Sequence, residues 1–346
     1  MEITVEKCPS NADNRQAKIS TILASGDKNI DLISVNDEMI SEFKHKGYLE
    51  PLEKNVMTEE VRDSFPQKYL ESICEENGHI YSVPFQMDIM MFWVNQELLK
   101  QAGLDEIKNT GDFDILQKSL KNPDQYAYGD AWENTHVYNS LSQFVNFWGG
   151  DYFDWTDPKT KDAARYMKSM LDEKNTSPAQ FVDQYEQMEE KFIRGKYGCV
   201  FMYTSALGTF LDADVYGKNK IHMAPLPVLH KKKATNIATW QYVLNNASEN
   251  KDAAVRFLQY AAGYEGSTEY AKIMKSYPAR VDVIENEDID LEGIDMIRKY
   301  LREYTLNARP LCENSMGAVS DMGKLFQGYV LGQCEEDSFF EQAQNC

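Results

Sequence analysis

Residues 81–104, YSVPFQMDIMMFWVNQELLKQAGL, decide the fold. Met87 to Val94 is a continuous apolar run broken only by Asp88, the mark of a buried strand. Asn95 then caps a helix carrying Leu98, Leu99 and Ala102. Gly103 stops that helix, and Leu104 supplies the apolar contact of a Schellman ending. Residues 184–205, QYEQMEEKFIRGKYGCVFMYTS, repeat the grammar in reverse. A helix ends at Gly195, and Tyr197 to Tyr203 is the strand that follows. In both stretches polar and aromatic residues collect near a strand end, where an α/β sheet holds ligands.

The same punctuation extends outward. Ile3 to Val5 reads as a short strand, followed by a helix from about Asn14 to Gly26. Ile30 to Val35 is a buried-type strand, and Asp37 is placed to cap a helix that stops at Gly47. Strand, helix, strand, helix predicts right-handed crossovers and a mainly parallel sheet. Further on come a strand at Tyr126–Gly129, a helix at Val137–Phe147, the Gly149–Gly150 turn and a helix at Ala163–Leu171. Ile221–Pro227 is a short strand, Lys231–Lys233 opens a polar loop, and Trp240–Leu244 returns as a strand. Ser248 is placed to cap an amphipathic helix ending at Gly263, and two amphipathic helices close the chain.

With 346 residues the chain is long enough for two domains. Its 36 basic and 55 acidic residues leave a net charge of −19, which argues against a nucleic-acid partner. No run of about 18 apolar residues exists, so no transmembrane helix is expected. The first residues, MEITVEKCPS, lack an export signal, so the chain is read as cytosolic or as shown without that signal. Six scattered cysteines form no C-x-x-C pair and are read as structural or free thiols. The 20 Tyr, 16 Phe and 5 Trp suit a core, and equally a site that stacks rings on a ligand.

Enzyme signatures are poor. Glu189 and Glu190 are adjacent on a helix and point apart, so they are no glycosidase pair. The five histidines are dispersed without an H-E-x-x-H pattern. Asp151, Asp154 and Asp157 lack the glycine and terminal glutamate of a calcium loop, so no metal is assigned. Neither a phosphate-binding G-x-x-x-x-G-K-[ST] nor a G-x-S-x-G elbow is present, and no cofactor is expected.

Seven pieces in order resemble the family 1 extracellular solute-binding proteins, the maltose-binding-protein-like receptors of bacterial ABC importers. They are residues 15–53, with their Gly-x-Leu-x-Pro-Leu ending, residues 81–104, FVNFWGGDYFD, FIRGKYGCVFMYTS, MAPLP, ENKDAAVRFLQY and SYPAR. The resemblance implies an α/β, two-lobed periplasmic-binding-protein-like fold of type II, with a ligand cleft between lobes. It places residues 1–83 and 244–301 in the first lobe, and 84–243 and 302–346 in the second. Two departures stand out. The strand and helix that members carry before the segment matching Ile3–Val5 are missing, and glycines frequent before Trp240 are replaced by KKKATNIATW.

The implied function is capture of a mono- or oligosaccharide and delivery to membrane permease subunits by a monomeric, extracellular, lipid-anchored receptor. The other readings are a receptor for a polyamine, phosphodiester or metal chelate, and a carbohydrate-active enzyme. Sugar binding needs planar hydrogen-bonding groups and aromatic rings. Asn36 and Asp37 follow a buried strand, and Asp37 also reads as a helix cap. Gln86 and Asp88 enter the second lobe, and a buried Asp88 needs a partner. Trp148 precedes the double glycine, Tyr203 and Thr204 end a strand, and Trp240 is the leading aromatic. Trp132 and Trp155 are weaker candidates. Arg280 and Arg309 either line the cleft or lock its hinge.

Overall fold

The computed structural model describes residues 2–9, 12–312 and 315–346. Its strands are β1 (Leu32–Asn36), β2 (Glu75–Glu76), β3 (His79–Ile80), β4 (Ser82–Asn95), β5 (Tyr126–Gly129), β6 (Tyr197–Tyr203), β7 (Ile221–Ala224), β8 (Ala234–Leu244) and β9 (Thr305–Ala308). The chain divides into two compact units. The first comprises Met1–Asp88, Ala238–Ile294 and Leu311–Ser315; the second comprises Ile89–Ile237, Asp295–Pro310 and Met316–Cys346. Among the described residues no helix is long and apolar enough to cross a membrane.

In the first unit β1 pairs antiparallel with the end of β8, from Leu32 opposite Leu244 to Asn36 opposite Trp240. Alternation buries Ile33 and Val35 beside Gln241 and Val243. The helix Asp37–His45 buries Met39, Ile40 and Phe43, a stripe at helical spacing. Its neighbour Lys44 is also buried, and its ammonium donates to the carbonyls of Ile73 (3.0 Å) and Glu75 (2.9 Å). β2 and β3 form a hairpin whose two turn residues, Asn77 and Gly78, both have positive φ (53° and 79°). That is the turn an Asn-Gly pair favours.

In the second unit β4 lies between β6 and β7, antiparallel to both, while β5 runs parallel to β6. The first four residues of β8 run parallel to β9. The apolar β4 run explains this: Phe92 and Trp93 are fully buried, and the Trp93 indole donates to the carbonyl of Met202 at 2.8 Å. Asn95 accepts from the amides of Glu97 and Leu98, and Leu104 bonds back to Leu99, so the helix Gln96–Gln101 is capped at both ends as expected.

Several expectations need correction. Ile3–Val5 is not a strand; Ile3 and Val5 stand 58% and 85% exposed, because apolar alternation without a ladder partner does not hold a strand. The described pairs are mainly antiparallel, since β1 takes its neighbour from a segment two hundred residues downstream rather than from the next strand. Asp37 does not cap its helix: Asn36 occupies that position and Asp37 is the first helical residue. Asn250, not Ser248, precedes the helix Lys251–Ala262; the Ser248 hydroxyl instead accepts from the Asn250 amide at 3.0 Å. β8 starts at Ala234, six residues before Trp240. Its polar residues Thr235 and Asn236 are buried, not looped out, because helix side chains satisfy them. Gln143 Oε1 accepts from the Thr235 hydroxyl and the Asn236 amide at 3.0 Å each, and Asn236 Nδ2 donates to Ser142 Oγ at 2.7 Å.

Candidate functional site

The first unit gathers Asn36, Asp37 and Trp240 at one end of the β1–β8 ladder. Asn36 and Trp240 are directly opposite, so their side chains share a face about 5 Å apart at Cβ. Asn36 Nδ2 donates to Glu38 Oε2 at 2.8 Å, while its Oδ1 is buried with no hydrogen-bond partner among the described residues. Asp37 is fully buried and accepts from the Tyr69 hydroxyl at 3.0 Å. Tyr69 Oη also meets Thr239 Oγ1 (2.8 Å) and accepts from Gln241 Nε2 (3.1 Å). Gln241 Oε1 accepts in turn from the Cys74 thiol at 3.2 Å. Burial raises the Tyr69 phenol well above its ordinary value and pushes the Cys74 thiol up to about 12, so neither ionises at neutral pH. Cys8, Cys74, Cys199, Cys312 and Cys334 are free thiols.

This network fixes the backbone on which Asn36 and Trp240 stand. Tyr69→Phe should therefore lower unfolding stability by about 1–3 kcal/mol, because Gln241 and Thr239 lose a buried partner. Urea titration of the variant against wild type checks the figure.

Trp240 itself is half-exposed, and the Arg15 guanidinium lies over its ring, 5.3 Å from the centroid. Gln86 and Asp88 project from one face of β4, two residues apart. Gln86 Oε1 accepts from the Tyr270 hydroxyl at 2.7 Å, and Asp88 is buried close enough for its charge to help raise that phenol, after burial itself, to about 12. Arg280 stands apart. Its donors are committed to Asp282 (3.0 and 2.6 Å), the Ala262 carbonyl (2.8 Å) and Ser64 Oγ (2.7 Å).

The second unit brings Tyr203 and Arg309 together with residues the sequence reading missed. Tyr203 Oη donates to Asn139 Oδ1 at 2.8 Å. The Tyr185 ring meets Tyr203 edge-on at 6.0 Å, and His136 meets Tyr185 at 5.0 Å. Arg309 lies 5.9 Å over Tyr203 and 6.0 Å over Tyr138, and its Nη1 donates to Tyr138 Oη at 2.8 Å. Burial pushes its guanidinium down to about 9, so it stays charged at neutral pH. The Thr204 hydroxyl accepts from the Ile89 amide at 3.2 Å and its own amide donates back at 2.9 Å, so it extends the β4–β6 ladder.

Trp148 does not join this group. It ends the helix whose first turns carry Asn139, about 13 Å away along the axis. One ring neighbour is His230, stacked at 4.9 Å and 2°, and another is Tyr166 at 4.9 Å. Trp132 and Trp155 are buried in the core. A cavity of about 200 Å³ in the first unit is lined by Arg62, Glu71 and Glu75 among others and contains none of the residues above. Among the described residues no group of three or more His, Cys, Asp or Glu side chains is arranged to hold a metal.

The missed residues left one trace. Asn139, Ser142, Gln143 and Asn146 form a polar stripe at i, i+3, i+4 and i+7 along a helix whose other residues, Ser140 apart, are apolar or aromatic. Arg15 and Tyr69 left none.

Comparison with known proteins gives the wider frame. An arabinooligosaccharide-binding protein of Bacillus subtilis is 22% identical over 286 residues, 78% of this chain and 65% of that protein. A probable amino-acid ABC transporter periplasmic-binding protein of Sinorhizobium fredii is 24% identical over 239 residues, 66% of this chain and 54% of that protein. The chain thus spans less than two thirds of the length of either relative. Among solved structures, an ABC transporter solute-binding protein from Thermotoga lettingae bound with α-D-tagatose superposes with a TM-score of 0.82 at 18% identity, over 96% of this chain and 88% of that one. Maltose-bound T. maritima MalE3 follows at 0.80 and 17%, over 97% and 88%. These likenesses show a two-lobed solute-binding-protein fold. The model of one family, described as bacterial extracellular solute-binding protein, matches residues 4–268. With more than half of its length matched, the chain belongs to the bacterial extracellular solute-binding protein family.

Proposed function

We propose that this chain is the substrate-binding component of an ABC importer and that it captures a neutral carbohydrate or polyol. The observation that carries the reading is the pairing of Trp240 with Asn36: a half-exposed indole beside a buried acceptor that no donor among the described residues fills. A sugar has both complements, an apolar ring face for the indole and hydroxyl donors for the amide oxygen. Two patches are proposed as ligand contacts, Asn36, Asp37 and Trp240 in the first unit, and Tyr203, Asn139 and Arg309 in the second. Gln86 and Asp88, joined to Tyr270, are proposed as secondary contacts. Thr204, Trp148 and Arg280 are proposed as structural supports. The receptor reading also carries delivery to membrane permease subunits and lipid anchoring at the cell surface.

A thermal-shift panel tests this, with arabinotriose, maltotriose, tagatose and mannitol set against spermidine, a glycerophosphodiester and the common amino acids. Ligand at about 100 times its dissociation constant adds about 2.7 kcal/mol and visibly raises the melting temperature. We expect a sugar or polyol hit, recovered chemically unchanged. Trp240→Ala should then weaken that ligand by about tenfold to a hundredfold in isothermal titration. A hit confined to spermidine, the phosphodiester or an amino acid would overturn the carbohydrate assignment, and turnover of the sugar would overturn the receptor reading.

A further inference from the structure

We infer that Arg15 is a positioning residue for Trp240, holding the indole in one orientation for ligand; the ligand half of this inference rests on the carbohydrate reading. Arg15 lies in the helix Ala12–Ser25, four residues before Ile19 and eight before Leu23. Those spacings put all three on one side of the helix, and Ile19 and Leu23 are buried at 0% and 3% exposure. The helix is therefore seated in the first unit by its own apolar stripe. Its rotation is held further by Gln16 Nε2, which donates to Glu42 Oε2 on the helix Asp37–His45 at 3.3 Å. Arg15 is thus delivered over Trp240 by a fixed element.

Trp240 needs such help more than the other four tryptophans. Trp93, Trp132, Trp148 and Trp155 are 0%, 0%, 7% and 1% exposed, held by packing on every side. Trp240 is half-exposed; among the described residues no aromatic ring packs against it, and Arg15 is the one cation over its ring. Its backbone is rigid, because its neighbours Thr239 and Gln241 are buried on the opposite face and bonded to Tyr69. What stays free is the side-chain torsion. A planar guanidinium stacked on the ring restricts that torsion through cation–π attraction and shape, which a lysine reproduces only in part.

The test has a ligand-free arm. Near-ultraviolet circular dichroism of wild type minus Trp240→Phe isolates the Trp240 signal, which is strong only for a ring held in one asymmetric setting. Arg15→Met should cut that difference signal to less than half, and Arg15→Lys should keep more of it than Arg15→Met. An undiminished signal in Arg15→Met, or less signal in Arg15→Lys than in Arg15→Met, overturns the inference whatever the protein binds. The second arm titrates maltotriose and arabinotriose into wild type, Arg15→Met, Trp240→Leu and the double variant. Arg15→Met should weaken binding at least threefold, with no further loss when added to Trp240→Leu. A Trp240→Leu defect without an Arg15→Met defect overturns the positioning role and leaves the carbohydrate reading standing. If neither sugar binds, or if Trp240→Leu binds as wild type does, the carbohydrate reading of this tryptophan fails and the dichroism alone decides the orientation.

Discussion

Asp130→Ala should cost the protein about 3–5 kcal/mol of stability, read by urea titration with tryptophan fluorescence. Asp130 is fully buried between β5 and the helix Val137–Trp148. Its carboxylate accepts from Ser140 Oγ (2.5 Å), Tyr128 Oη (2.7 Å), the Ala131 amide (2.8 Å) and the Trp132 indole (2.9 Å). Alanine would strand all four donors in the core, and Tyr128 and Trp132 are both wholly buried. Ser140 follows Asn139, so the loss should also loosen the Tyr203–Asn139 contact and weaken ligand binding.

Burial also raises the Asp130 carboxyl above its ordinary range, the four hydrogen bonds opposing the shift without cancelling it. A folded value above the unfolded one means that the unfolded chain loses its proton first. The contribution is therefore full below the ordinary aspartate range and is lost as pH rises through the raised value. Asp130→Asn should lack this slope. Its deficit against wild type should be largest in acid and shrink towards neutral pH.

Gly323→Ala should be the second severe change, lowering stability by about 2 kcal/mol although alanine is the better helix former by about 1. A Cβ at this position would sit 2.0 Å from the carbonyl oxygen of Asn134, a backbone atom that cannot swing aside. The helix Ser315–Val330 would have to lift off. One turn further on, Gln327 Nε2 donates to the carbonyls of Trp132 (2.6 Å) and Phe181 (3.1 Å), and lifting would break both bonds. Denaturant titration alongside Gly208→Ala provides the control, because a Cβ on Gly208 meets nothing within 4 Å.

What could be read from the sequence follows the range of the forces involved. Local signals were legible: β6 spans Tyr197–Tyr203 as expected, Asn95 caps its helix, and Gly103, Gly149 and Gly195 take positive φ at helix ends. Strand pairing was not, because nothing in LISVN announces that its partner is WQYVL of β8, two hundred residues away. Thr235 and Asn236 misled for a related reason. Polar residues read as loop until their buried partners are known, and those partners lie on a helix ninety residues earlier. Asn36, Asp37 and Trp240 stood out singly as chemical types, whereas their neighbours Tyr69 and Arg15 are defined only by folding. Arg280 was ambiguous from sequence, because its bonds to Asp282, Ala262 and Ser64 are defined only by folding.

The buried Lys44 gives the first unit a built-in clock. Burial lowers its ammonium pKa, and both carbonyls it serves belong to the segment Ile73–Glu75. An amine-reactive reagent meets most other lysines directly but reaches Lys44 only when the helix Asp37–His45 parts from that segment. The rate at which Lys44 acquires label therefore measures local opening beside Asn36 and Asp37. If those residues grip a ligand, saturating sugar should slow this one lysine selectively while the others react at unchanged speed.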